Sequence, residues 1–454
     1  MPNLRKIGAD VMSLLASRTD RVLREILRGT IISIAMQVAE AATKFGLNLL
    51  LARFLGVSGV GLFYLAFTVT TIGAVAGRFG LERSLLRHIA ANIAVENYAG
   101  ARGAAVKGLA ITLLASSATS LILFVSAPLL ANYAFAQPAL LSPLRIMTIA
   151  IIPLALLTVV SSMLRALRQI FSSQLILSVM WPLMTACGVA ALGASVSVVG
   201  ATSVQLAAMT CTALLGLILL WRASPRLRGI RGQFPTRTLI QTSLPLFFVT
   251  AMNTLLLWSP NIILGFFASE AEVGRFALAS RTAMLAAFAV SAVNFMAAPN
   301  FAALHRRGDF ATLNATARHA TLLMLAFGSV PIMVLLAFPG PIMALFGEEF
   351  RPAGLSLLIL TLGYLVSTIC GPCGIVLNMT GHEKTLQNVT LVSLLATWGL
   401  SLPLSGFYGG VGMAVAVAAG VIVQNVGCSI FVYRNLGILT LPMRRPIPKA
   451  RKPT

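Results

Sequence analysis

The sequence predicts an all-α polytopic membrane protein with about twelve transmembrane helices in two pseudo-symmetric six-helix bundles. Three observations predict this fold: an apolar composition, a series of membrane-length apolar runs, and an internal repeat. Of the 454 residues, 57% are hydrophobic and only 10% are charged, and the mean hydropathy is +0.89. A soluble domain carries about 25% charged residues, so much of this protein's surface must face lipid.

The apolar runs have the length of membrane-spanning helices. A bilayer core about 30 Å thick is crossed by about 20 helical residues. Twelve such runs lie between polar, proline or glycine breaks, at residues 30–52, 60–81, 104–127, 144–164, 173–196, 200–221, 241–267, 273–298, 318–338, 353–377, 386–405 and 411–433.

The chain also repeats itself at an offset of 213 residues. Residues 48–68 align without gaps with residues 261–281, and eight of the 21 positions are identical, including Gly61 with Gly274. Because the offset covers six runs, the two halves should be related by an axis along the membrane normal. A chance match between apolar helices is the alternative.

Basic residues set the orientation and divide the chain. In the twelve-run arrangement, 28 of the 34 Lys and Arg lie on the side of the amino terminus, which predicts that both termini are cytoplasmic. The net charge of +22 is thus assigned to topology, and no nucleic-acid partner is expected. The predicted units are an amphipathic interfacial segment 1–29, a bundle 30–222, a basic cytoplasmic linker 223–240, a bundle 241–433 and a basic cytoplasmic tail 434–454.

Four polar residues form a stripe along the first run. Gln37, Glu40, Lys44 and Asn48 follow one another at steps of three, four and four, which places them on one helix face. A charged side chain at mid-membrane costs at least about 2.5 kcal/mol, so this face should line a cavity or an interface. The alternative is that Glu40 and Lys44 only neutralise each other.

Arg281 is the second intramembrane cation, and no acidic residue lies three or four positions from it. Its predicted depth is about 12 Å and that of Lys44 about 13 Å, at 1.5 Å per helical residue. Two cations at matched depth in different halves could bind a diphosphate. The alternative is a structural lock in which Glu40 pairs with Arg281.

Asn253 and Asn261 lie within about 80° of each other on a helix, with Trp258 between them. Amides beside an aromatic face suit a sugar, but Asn also forms interhelical hydrogen bonds in membranes. Cys370-Gly371-Pro372-Cys373 is interpreted as a helix break within an apolar run. With no metal-ligand spacing and no phosphate-binding Gly-x-x-x-x-Gly-Lys motif, we expect no cofactor and no enzymatic activity.

The segment from Asn48 to Gly56, followed by Gly61-Leu-Phe and Arg78-Phe-Gly-Leu, resembles the polysaccharide flippases of the multidrug/oligosaccharidyl-lipid/polysaccharide (MOP) superfamily. The loop Thr380-Gly-His-Glu-Lys384 also fits. The resemblance covers the whole membrane region and implies a MOP/MATE-like fold. It further implies a cavity lined by the first two helices of each half, through which alternating access carries a lipid-linked sugar outward.

The sequence therefore favours a flippase for a polyprenyl-diphosphate-linked oligosaccharide in the bacterial inner membrane, serving synthesis of O-antigen, exopolysaccharide or capsule. Its expected partners are the lipid-linked anionic oligosaccharide, membrane lipids, a polysaccharide polymerase machinery and a coupling ion. A cation-coupled multidrug exporter is disfavoured because Glu40 is the only acidic residue inside a predicted run. A peptidoglycan-precursor flippase and a non-transporting scaffold of a polysaccharide assembly complex remain as alternatives.

Overall fold

The computed structural model describes residues 3–440, and the side chains of residues 35–440 apart from 288, 289, 292 and 295. Every regular element in this part of the chain is helical. The α-helices are α1 Asn3–Arg78, α2 Leu81–Ala94, α3 Tyr98–Leu129, α4 Leu141–Ile149, α5 Ile151–Ala166, α6 Ile170–Gln174, α7 Trp181–Leu192, α8 Val198–Ala223, α9 Thr236–Phe267, α10 Glu270–Ala283, α11 Ala286–Arg306, α12 Phe310–Ala337, α13 Pro339–Ala344, α14 Gly354–Cys370, α15 Cys373–Met379 and α16 Glu383–Leu436. Short 3-10 or π segments lie between them, including Leu130–Ala134, Leu175–Met180 and Glu348–Ala353.

Nine helical stretches of the described chain are long and apolar enough to cross a membrane. Two of them, Ala35–Arg78 with 44 residues and Glu383–Leu436 with 54, are long enough to cross twice. Each contains one glycine in a non-helical conformation, Gly56 at φ 67° and Gly409 at φ 54°. A positive φ favours glycine, and each of these residues interrupts the helix. Hydrogen bonds from Tyr64 to Asn48 and from Ser393 to Gly420 show that the chain folds back across each break. The count of twelve spans stays a prediction.

Two predicted runs are interrupted at positions that are neither glycine nor proline: residues 144–164, where α4 ends at Ile149 and α5 begins at Ile151, and residues 273–298. Residues 273–298 were expected to form one helix, but α10 ends at Ala283 and α11 begins at Ala286. Neither Met284 nor Leu285 is a glycine or proline, so composition does not mark this break. The break places Arg281 in the last turn of α10. The predicted break at Gly371-Pro372 is present between α14 and α15.

The predicted unit boundaries are not tested by the helix ends. Helix α1 continues through residue 29, so the boundary there does not coincide with a helix end. The side chains of segment 1–29, and the tail from residue 441 onward, lie outside the described residues. The linker is in part helical, since α9 begins at Thr236.

The repeat-related glycines lie at one place where the two halves approach backbone to backbone. A Cβ atom placed on Gly61 would lie 1.8 Å from the carbonyl oxygen of Glu270, and one on Gly274 would lie 2.2 Å from that of Val57. The contact is reciprocal, because Val57 and Glu270 each precede their own glycine by four residues and are themselves 213 residues apart. Helices α1 and α10 can therefore approach backbone to backbone, as small residues allow between membrane helices.

The largest hydrophobic cluster extends from this crossing into both halves. It contains the fully buried rings of Phe63 in α1 and Phe276 in α10, together with Phe346 and Phe350 from the segment after α13. In a membrane, helix association depends on close van der Waals packing because lipid is as apolar as the interface. Packing around the crossing therefore fixes how the halves meet at this level.

We predict that Gly61→Ala destabilises the protein strongly, because its methyl group meets backbone that cannot rotate away. Overpacking of this kind costs about 1–3 kcal/mol or more. Gly46→Ala is the matched control in the same helix, since nothing lies within 4 Å of a Cβ placed there. Thermal unfolding of purified protein in detergent measures both; equal melting temperatures would show that α1 and α10 do not meet at Gly61.

Candidate functional site

Arg281 lies at the interface between the halves, among aromatic side chains. Its guanidinium carbon is 3.8 Å from the ring centroid of Trp258 in α9 and 5.8 Å from that of Tyr64 in α1. Its Nη1 is 3.4 Å from the sulfur of Met284, and its Nε is buried without a hydrogen-bond partner. Among the described residues, no carboxylate lies within salt-bridge distance of it.

The charge of Arg281 is compensated only in part. A guanidinium within about 6 Å of an aromatic face gains about 0.5–2 kcal/mol. The carboxyl end of a helix carries about half a negative charge, and Arg281 lies in the last turn of α10. Neither contribution uses a guanidinium N–H in a hydrogen bond to an oxygen acceptor, so guanidinium donors stay available for an anion.

Asn48 and Tyr64 extend this site along α1. The Tyr64 hydroxyl donates a hydrogen bond to Oδ1 of Asn48, and both side chains are buried. These residues stand on opposite sides of the Gly56 break, so the bond joins the two segments of α1. A continuous set of contacts thus runs from Asn48 through Tyr64 to Arg281.

Glu40 and Lys44 pair with each other, with Nζ 2.5 Å from Oε1. Their side chains are 31% and 45% exposed, so the pair is accessible. Glu40 therefore contacts Lys44 and not Arg281, which disfavours the lock. Lys44 is one turn from Asn48, and Gln37, half-buried, lies one turn beyond Glu40. The described contacts do not join Lys44 directly to Arg281, so the geometry of a two-cation clamp stays a prediction.

The two asparagines of α9 have different surroundings. Asn261 is buried and donates from Nδ2 to Oγ1 of Thr68 at 3.2 Å, while its Oδ1 finds no partner among the described residues. Asn253 is exposed, and its amide donates to the carbonyl of Val249 in its own helix. Asn261 is the repeat counterpart of Asn48, and both bond to the segment of α1 after Gly56. Asn261 thus makes the interhelical bond of the alternative interpretation.

A second polar cluster lies at the end of the bundle opposite the linker. Arg275 contacts Oε1 of Glu272 at 2.9 Å and donates from Nε to the carbonyl of Glu349 at 3.1 Å. Oε2 of Glu349 accepts from the backbone N–H of Val57 at 3.3 Å. Oε2 of Glu272 accepts from that of Gly410 at 3.2 Å. Each carboxylate thus bonds the first N–H after a glycine break, which would otherwise lack a partner.

Sequence reasoning missed this cluster and one buried ion pair. Arg275 connects α10 to Glu349, a residue 74 positions away that helical spacing does not relate to it. Glu82, outside its predicted run by one residue, is 7% exposed; Nε of Arg78 is 3.5 Å from it, and Thr250 of α9 donates to it at 3.1 Å. The four-residue spacing of Arg78 and Glu82 was the available signal.

Family comparison identifies the chain. A model of the polysaccharide biosynthesis protein family matches residues 26–305. The chain belongs to this family. The match covers the whole first half, the linker, α9, α10 and nearly all of α11, and so includes Arg281 and its aromatic neighbours. A search of curated proteins finds no match for this family member.

Solved structures show the fold of this family member. An inward-facing multidrug resistance MATE family transporter of the MOP superfamily is 15% identical, with a TM-score of 0.73 over 90% of this chain and 98% of that one. The lipid II flippase MurJ in an inward closed conformation is 16% identical, with a TM-score of 0.68 over 89% and 87%. A MOP superfamily transporter from Pyrococcus furiosus, described as having a binding pocket of reverse polarity, is 15% identical, with a TM-score of 0.65 over 91% and 95%. The predicted MOP/MATE-like all-α fold is confirmed.

We predict that Arg275→Gln lowers the melting temperature, because it removes the bonds to Glu272 and to the Glu349 carbonyl. Partly exposed ion pairs contribute about 0.2–1 kcal/mol, and the shared carboxylates raise the expected effect to the upper end. Arg351→Gln is the matched control, since its pair with Glu348 is mostly exposed. An equal shift for both variants would contradict a connecting role for Arg275.

Proposed function

We propose that this protein is an alternating-access flippase that moves a polyprenyl-diphosphate-linked oligosaccharide across the bacterial inner membrane, with both termini in the cytoplasm. Membership of the polysaccharide biosynthesis family supports the substrate class, and the MOP fold supports a transporter. The glycan would serve the synthesis of O-antigen, exopolysaccharide or capsule. A polymerase that receives the exported unit, and a coupling ion, are part of the same proposal.

The observation that carries the proposal is the unpaired cation of Arg281 between the halves. Its surroundings are aromatic and apolar, so a doubly charged diphosphate would meet little competition from protein carboxylates. A planar guanidinium can bind two phosphate oxygens at once. In a site with little water, such charge-assisted contacts are stronger than at a surface.

Lys44 takes a second role in this proposal. Its ammonium is bonded to Glu40, so it binds an anion only if that bond lengthens or is shared. We place Lys44, Gln37 and Glu40 on the accessible approach to the site, and Arg281 at its end. Trp258 and the exposed amide of Asn253 are the candidates for contact with the sugar, while Asn48 and Asn261 are buried in bonds with Tyr64 and Thr68.

The charge pattern disfavours the exporter of cationic drugs. Glu40, the acidic residue inside a predicted run, and the buried Glu82 each lie beside a basic side chain, Lys44 and Arg78. A cationic substrate would have to displace one of these partners. A peptidoglycan-precursor flippase shares the diphosphate chemistry, so Arg281 does not distinguish it from the leading proposal. A scaffold has no need for an uncompensated arginine.

We predict that Arg281→Ala weakens substrate binding about tenfold to a hundredfold, the equivalent of one charge-assisted contact of about 1.5–3 kcal/mol. Arg281→Lys should be milder because the charge is kept while the planar fork is lost. Lys44→Ala should lower export less than Arg281→Ala. Glycan export per molecule of membrane-inserted protein measures all three.

Arg145→Ala is the control for this series. Arg145 also lies in a membrane stretch and near an aromatic ring, 5.5 Å from Phe124, but it is exposed on α4 in the first half. The Arg145→Ala variant should export glycan at the normal rate. Normal export by Arg281→Ala at normal abundance would exclude the anion site. Failure of Arg281→Ala and Arg281→Lys to accumulate would favour a structural role.

We predict that deletion of the gene leaves a lipid-linked glycan on the cytoplasmic leaflet and abolishes one surface polysaccharide, with no change in susceptibility to cationic drugs. The measurement is the lipid-linked intermediates extracted from deleted and complemented cells. Accumulation of a peptidoglycan precursor would favour the second flippase assignment. Drug hypersensitivity with normal surface glycans would favour the exporter.

A further inference from the structure

A groove lies on the flank of the first half, away from the interface that contains Arg281. Its volume is about 470 Å³, within the range of about 300–1,000 Å³ typical of small-molecule sites. Apolar side chains from α3, α5 and α8 form its walls, including Val106, Met163 and Leu220. The linker closes one end with Leu227, Arg228 and Gly229.

A second, cationic hollow adjoins the groove at this end. It measures about 320 Å³ and is lined by Arg102, Lys107, Arg231 and the backbone of residues 229–232. The two hollows share Arg102, Val106 and Gly229. Together they form one elongated site that is apolar at one end and positively charged at the other.

The backbone of the linker is held in place by hydrogen bonds with α3. Arg102 donates to the carbonyl of Ile230 at 2.5 Å, and Lys107 donates to that of Phe234 at 2.7 Å. The N–H of Gln233 donates to the carbonyl of Ala99 at 2.9 Å. These bonds use one donor of each cation, so further donors of Arg102 and Lys107 can reach an anion.

The apolar end of the site continues into the lipid-facing surface. Val106 is 55% exposed, and exposed leucines and isoleucines follow it away from the linker, Leu113 and Leu114 on α3 and Leu214 and Ile218 on α8. Trp221, 61% exposed, marks the border with the charged end, and Arg228 stacks on it with Cζ 3.8 Å from the ring. Tryptophan is enriched at the membrane–water interface, so this border lies at headgroup level.

We propose that this site binds one anionic phospholipid from the leaflet on the linker side, with an acyl chain in the apolar groove and its phosphate against Arg102 and Lys107. The sequence around the site, residues 97–110 and 221–240, contains seven Lys and Arg and no Asp or Glu. Basic side chains close to an anionic leaflet are attracted to its phosphates. A cationic peptide is excluded as occupant by the same charge, and a free phosphate leaves the apolar groove unfilled.

The site would tie the linker, which connects the two halves, to the composition of the membrane. This inference is independent of the substrate proposed above, because it concerns a different face of the protein. Its test therefore uses lipid binding and not export.

The test is native mass spectrometry and thermal unfolding of the full chain in detergent, with added phosphatidylglycerol or phosphatidylcholine. We expect one retained phosphatidylglycerol per chain and a higher melting temperature than with phosphatidylcholine. Arg102→Gln with Lys107→Gln should weaken retention about tenfold or more, the loss of at least one charge-assisted contact. Equal effects of the two lipids would overturn the proposal.

A second pair of variants keeps every cation and tests the groove itself. Ala105→Phe places a ring in the groove that Ala105 lines, whereas Ala110→Phe adds the same ring to an exposed position of α3 outside it. Retention should fall only for Ala105→Phe. Equal lipid retention by the two variants would show that the groove does not hold the acyl chain and that only the surface charge attracts the lipid. Displacement of the lipid by millimolar glycerol 3-phosphate would show a site for a soluble anion.

Discussion

The contact between the backbones of α1 and α10 at Gly61 and Gly274 determines the geometry of the whole interface. Tyr64 follows Gly61 by about one turn, and Arg281 follows Gly274 by about two turns, or about 10 Å. Since the two helices run in the same direction from their crossing, both side chains lie on the same side of it. The crossing thus places a tyrosine of one half beside an arginine of the other. A side chain at either glycine would push the two helices apart and would therefore separate Tyr64 from Arg281.

The site is asymmetric although the scaffold repeats. The 213-residue offset relates Arg281 to Thr68, which accepts a hydrogen bond from Asn261, the counterpart of Asn48. The packing of the repeat therefore does not require a cation at this position. An intramembrane arginine costs at least about 2.5 kcal/mol, and the aromatic faces and the helix end offset only part of that. The first half has no basic counterpart of Arg281, which supports the proposed role of its charge in binding an anion.

Much of the fold could be predicted because it depends on apolar composition and on the internal repeat of the sequence. Apolar runs gave the helices, and a gapless offset gave the pair of glycines that touch. The break after Ala283 could not be predicted, since neither Met284 nor Leu285 is a residue that usually ends a helix. At the site, helical spacing predicted which helix face carries Asn48. It also predicted that Arg281 has no acidic residue one turn away in its own helix. The aromatic environment of Arg281 could not be predicted, because Tyr64 and Trp258 are brought together by contacts across halves.

The polar contacts missed by the sequence indicate which part of the interface can change. Glu272, Arg275 and Gly410 all belong to the second half, so the bonds among them can persist through a movement of the halves. The bond from Val57 to Glu349 joins α1 to the second half and must break if the end opposite the linker opens.

A single hydrogen bond of this kind contributes about 0.5–3 kcal/mol. A shift from 1:99 to 99:1 takes about 5.5 kcal/mol of differential affinity, so this contact is within reach of a ligand. An anion produces such a shift only if it binds the two states differently. In the proposed flippase, Arg281 is placed to meet this condition, because its aromatic neighbours Tyr64 and Trp258 belong to different halves.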